Sequence, residues 1–86
     1  MEISQQKVEK VIEVLNKNGY NKVEFLDLEF LFNSTGQDKY SRLSFYRGEF
    51  VISTKSSDWD TSEVNEFIAQ LKRHNELAKQ LNEILK

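Results

Sequence analysis

The sequence predicts an α+β domain of order α-β-β-β-α: a three-stranded antiparallel meander with helices on one face and a long or broken C-terminal helix. Two observations carry that expectation. Apolar residues recur at helical spacing near both ends of the chain, while the centre alternates with the two-residue period of a half-buried strand.

Each element follows from local chemistry. Ser4 is a good N-cap, and Val8, Val11, Ile12 and Leu15 then fall on one face. A helix is therefore expected from Ser4 to about Lys17, with Asn18-Gly19 as its stop. A first strand over roughly 22–32 follows, then the polar loop NSTGQDK at 33–39. KYSRLSFYRGEFVISTK reads as a hairpin turning at Arg47-Gly48, where glycine adopts a positive φ easily. A two-residue turn there pairs Tyr46 with Glu49, Phe45 with Phe50 and Leu43 with Ile52, so apolar meets apolar on one face. The other, open face carries Tyr40, Arg42, Ser44, Tyr46, Val51, Ser53 and Lys55. Asp60 with Glu63 predicts a capping box, and Trp59 with Val64 a hydrophobic staple. Val64, Phe67, Ile68, Leu71, Ala78, Leu81 and Leu85 then share one side of a last helix. Unbroken, that helix is about 39 Å long, against about 27 Å for an eight-residue strand. Its final turns are expected to overhang the sheet, fold back after His74-Asn75, or meet a partner.

EFLDLEFLF, residues 24–32, is the least regular stretch. A regular strand with Leu26, Leu28, Phe30 and Phe32 inward sets Val23, Phe25 and Leu31 outward; a β-bulge near Leu26-Asp27 returns Phe25 to the core instead. The regular strand is the expectation adopted. It puts Phe25, Leu31, Tyr40, Tyr46 and Val51 in one exposed apolar patch, a usual mark of an interaction site.

Bulk composition narrows the function classes. The 86 residues suit a single domain with a modest core. A net charge of −2 is too small to argue for bulk attraction to nucleic acid or anionic lipid, and equally too small to suggest an acidic nucleic-acid mimic. Basic residues concentrate in the middle, where Lys39, Arg42, Arg47 and Lys55 oppose Glu49 alone. The chain has no cysteine, so no disulfide or thiolate metal site forms, and a cytoplasmic location is expected. The polar MEISQQKVEK predicts neither a signal peptide nor a membrane span, and Asn33-Ser34-Thr35, a glycosylation sequon, reads as a loop. His74 lacks ligand-spaced partners and reads as a structural or surface histidine, while Asp58 and Asp60 read as capping groups. No catalytic residue, cofactor or metal is expected.

What remains is binding. The first candidate is the open sheet face, with Phe25, Leu31, Tyr40, Arg42, Tyr46, Val51 and Lys55 contacting a protein or nucleoprotein. The second is nucleic-acid binding by Tyr40, Arg42, Tyr46, Arg47 and Lys55, with rings for stacking and cations for phosphate. The third is a homodimer through Leu77, Leu81, Ile84 and Leu85.

Two families share the α-β-β-β-α order. The order resembles that of the double-stranded-RNA-binding domain, whose second helix opens on phosphate-binding lysines; here it opens DWDTSE, with Asp58, Asp60 and Glu63 at that end. GYNKVEF, GEFVIS and VNEFIAQLK resemble segments of the compact Listeria prophage inhibitors of Cas9, an anti-CRISPR family. That resemblance implies a small non-catalytic protein of a phage or mobile element that works by occupying a partner. The family imitates DNA with acids, and this chain, at −2 with a basic hairpin, lacks that charge, so no binding residue transfers.

Overall fold

The computed structural model describes residues 3–33, 38–54 and 60–86. Its elements are α1 (Gln5–Lys17), β1 (Glu24–Leu26), β2 (Glu29–Leu31), β3 (Ser41–Tyr46), β4 (Glu49–Thr54) and α2 (Thr61–Leu85). The class is α+β with a long C-terminal helix, as expected. The sheet is not a three-stranded meander. It is two antiparallel hairpins, β1-β2 and β3-β4, with no ladder joining them.

The first hairpin accounts for the irregular phase of EFLDLEFLF. Asp27 and Leu28 both have positive φ, 51° and 65°, as a two-residue type I′ turn requires. The turn restarts the alternation, so residues before and after it need not share one phase. Phe25 pairs with Phe30, Glu24 with Leu31, and Leu26 with Glu29. Cross-strand partners point to the same side, so the two phenylalanines face inward while Leu26 and Leu31 face outward. The inward placement of Leu26 and Leu28 and the outward placement of Phe25 are both overturned, and the structure shows neither the continuous strand nor the bulge.

The second hairpin has the expected register, from Tyr46 opposite Glu49 to Ser41 opposite Thr54. Its turn places Arg47 at φ 52° and Gly48 at 84°. A Cβ on Gly48 would meet nothing within 4 Å, so the backbone angle, not crowding, favours glycine there. Aromatic rings join the hairpins. Phe30 lies 5.2 Å from Phe45 and 5.5 Å from Phe50, centroid to centroid.

Both helices start as expected. Ser4 Oγ accepts from the Lys7 amide at 3.3 Å, and Asp60 Oδ1 from the Glu63 amide at 2.9 Å. The proposed staple residue Trp59, together with Lys55, Ser34 and Thr35, lies outside the described residues. Helix α2 runs unbroken through Asn75 for 25 residues. It overhangs at the end opposite to the one expected. Val64 and Ile68 in its first turns are exposed, whereas Leu77, Ala78 and Leu81 are buried against α1 and the hairpins. The helices run antiparallel, since Lys7 Nζ donates to the Lys86 carbonyl at 2.6 Å and sets a cation at the C-terminal end of α2.

Helix α2 also closes strand edges. In a hairpin with a two-residue turn, the pair next to the turn-flanking pair points its backbone groups outward. Phe50 is in such a pair, and Asn82 satisfies it, accepting from its N–H at 2.7 Å and donating to its C=O at 3.0 Å. At the start of β3, Gln70 Oε1 accepts from the amides of Tyr40 at 2.7 Å and Ser41 at 2.8 Å.

Candidate functional site

Three of the exposed large apolar side chains among the described residues lie together on the β1-β2 hairpin. Leu26, Leu28 and Leu31 are 57%, 55% and 44% exposed. Each of the two strand leucines sits directly across the hairpin from a carboxylate: Leu31 from Glu24, Leu26 from Glu29. Asp27 adds a third acid at the turn. Among the described residues none of these three acids forms an ion pair. The opposite face is held fast, because the Phe25 ring packs at a tilt against Phe30, centroids 4.7 Å apart, and both join the aromatic cluster. Leu28 occupies a left-handed position that asparagine or glycine takes at lower cost, so an exposed leucine is kept where both burial and backbone preference disfavour it.

The sequence-predicted face is only partly assembled. Arg42 and Tyr46 are exposed on the open side of β3-β4, with the Arg47 guanidinium 5.2 Å from the Tyr46 ring centroid. Val51 is half-buried. Leu31 is exposed but on the other hairpin. Phe25 belongs to the core margin, for the pairing reason given above. Tyr40 is only 3% exposed. It precedes the first residue of β3, so strand alternation does not govern it, and its hydroxyl donates to Glu66 Oε2 of α2 at 2.8 Å. Lys55 lies outside the described residues. The expected dimer seam is intramolecular: Leu77 and Leu81 are buried, and Ile84 and Leu85 pack against the same core.

A buried polar network is the feature that sequence reasoning missed. His74 Nδ1 lies 2.5 Å from Ser41 Oγ, and its Nε2 lies 3.1 Å from both Asp38 Oδ1 and Tyr20 Oη. The Tyr20 hydroxyl donates to Asp38 Oδ1 at 2.8 Å. A neutral ring satisfies the set if Nδ1 accepts from Ser41 while Nε2–H points at Asp38 and Tyr20. Burial holds His74 below its ordinary pKa, against the pull of the nearby Asp38 carboxylate. Burial also raises Tyr20, reinforced by its bond to Asp38. Serine, histidine and aspartate in contact have the composition of a hydrolytic triad. Ser41 and His74 are 0% and 1% exposed, however, so no substrate reaches the hydroxyl. The network instead ties Tyr20 after α1, the stretch 38–41 and α2 together. Its sequence signal was Gln70 and His74, two polar residues four apart beside the apolar stripe of a helix, which therefore needed partners.

Among the described residues no cluster of histidine and acids is placed to hold a metal, and no helix is long and apolar enough to cross a membrane. No protein-family model, curated protein or solved structure matches the chain.

Proposed function

We propose that this chain is a small non-catalytic binding protein that occupies a macromolecular partner through the outer face of its first hairpin, in the manner of a phage or mobile-element inhibitor. The observation that carries the reading is the set of three exposed leucines on a short hairpin whose other face is locked into the core. A preorganised apolar face loses little conformational entropy on docking, which favours affinity. The burial of Ser41 supports the non-catalytic part. The nucleic-acid alternative keeps Arg42, Tyr46 and Arg47 but loses Tyr40 to the interior, leaving one exposed ring for stacking among its described residues.

The test compares the tagged chain with a Leu26→Ser, Leu28→Ser, Leu31→Ser variant in host lysate, with and without nuclease. The three side chains face solvent, so the variant is expected to keep its helical circular dichroism. A discrete protein retained by the parent chain after nuclease and lost by the variant is the expected result. Capture of the same protein by both chains refutes the reading, and recovery of nucleic acid alone transfers it to the Arg42–Arg47 surface.

A further inference from the structure

We infer that the partner surface meeting the first hairpin is an apolar face edged with lysine or arginine, and that Glu24 and Glu29 pair with those cations while the leucines pack on that face. This rests on the binding reading above and adds the chemistry of the occupant.

The pairing pattern carries the inference. Glu24 opposite Leu31 and Leu26 opposite Glu29 give a two-by-two checkerboard in which each leucine adjoins a carboxylate about 5 Å away between Cβ atoms. No partner can cover Leu26 and Leu31 without also covering, or closely flanking, both glutamates. A carboxylate stripped of water without a counter-charge is costly to bury. Among the described residues neither glutamate has an ion-pair partner, and Lys22, the nearest cation along the chain, bonds to neither. The counter-charge therefore has to come from the occupant.

The same charges dispose of the other occupants. Nucleic acid and anionic lipid bring further negative charge to a face that already carries Glu24, Asp27 and Glu29. A second copy docked face to face by a two-fold axis sets these acids against themselves. A cation-edged apolar face matches both components at once: leucine anchors in the middle, and charge pairs at the rim that guide association. The left-handed Leu28 fits this account, because a turn chosen for stability alone would carry glycine there.

The probe is an amphipathic helical peptide of leucine and lysine, with a leucine–glutamate peptide of equal length as its counterpart, each titrated into the isotope-labelled chain and followed by amide chemical shifts. Shifts confined to residues 24–31 are expected with the lysine peptide, weakening as salt rises. Glu24→Lys with Glu29→Lys leaves the Asp27-Leu28 turn intact and is expected to reduce that affinity about ten-fold or more while favouring the glutamate peptide. Equal binding of both peptides, or shifts centred on residues 42–47, overturns the inference. If the lysine peptide fails while the leucine variant still loses its lysate partner, the charge assignment alone falls and the binding reading stands.

Discussion

Replacing Gln70 by alanine tests whether side-chain amides of α2 hold the β3-β4 hairpin in place. The Gln70 carbonyl accepts two buried backbone N–H groups, from Tyr40 and Ser41. Alanine leaves both unpaired in a position too enclosed for easy hydration. An orphaned buried donor costs roughly 1–3 kcal/mol, so roughly 2–6 kcal/mol is expected for the pair. A domain of this size holds roughly 4–13 kcal/mol in all, so the loss is a large share. In thermal unfolding each kcal/mol lost corresponds to a fall of about 4–8 °C. Urea unfolding is the sharper assay, with the midpoint expected to drop and the slope unchanged. Hydrogen exchange should lose protection first at the Tyr40 and Ser41 amides. Gln80→Ala, on the exposed side of the same helix, is the control and should stay within about 0.5 kcal/mol. A Gln70→Ala variant as stable as that control would mean the two amides find water, and that the contact contributes nothing to anchoring the hairpin.

The remaining expectations concern pH, the first turn and the hairpin's inner face. Folding lowers the pKa of His74 below its ordinary 6.5, so the unfolded chain binds the extra proton first; stability is complete above that value and falls as pH drops through the folded-state pKa. Folding raises Tyr20 above its ordinary 10.0, so its contribution is complete below pH 10.0 and is lost as pH rises through the folded-state value. Urea midpoints across pH should show both limbs, the acid one flattened by His74→Gln and the alkaline one by Tyr20→Phe; an unchanged acid limb in His74→Gln assigns it to carboxylates instead. Changing Asp27-Leu28 to Asn-Gly relieves a left-handed leucine and should raise stability by about 1 kcal/mol while weakening partner capture; lower stability in urea would contradict the turn assignment. Phe25→Asp should abolish cooperative unfolding whereas Leu31→Asp leaves it intact, as circular dichroism would show, because one side chain packs on the core and the other faces solvent.

Where a local rule acts alone, the sequence is a sufficient guide. Ser4 and Asp60 cap the helices they precede, and Arg47-Gly48 turns a hairpin whose flanking residues match only in one register. The first hairpin was illegible because its turn is Asp-Leu, without the glycine or asparagine that advertises positive φ, and its strands are three residues each, too short to display alternation. Tyr40 was misplaced by extending strand parity one residue past the strand's start. The overhang was measurable from length, but its end was not, because which turns are covered depends on where α1 docks. Asp38 and Tyr20 gave no signal at all. Their role exists only once the chain segments around residues 20, 38, 41 and 74 meet.

Gln70, His74, Ala78 and Asn82 are spaced by four along α2, and three of them hold polar groups of the hairpin region while Ala78 packs in the core. Four residues overshoot one helical turn by roughly 40°, so the row winds by roughly 120° between its ends. That winding carries the contacts from the start of β3 to the far edge of β4. A single residue inserted or deleted between Gln70 and Asn82 turns everything beyond it by roughly 100° and breaks the row in two. Length changes in α2 are therefore far more damaging than most substitutions in it. Exposed positions of α2 such as Gln80 can change at little cost, but the spacing of that helix has to be inherited whole.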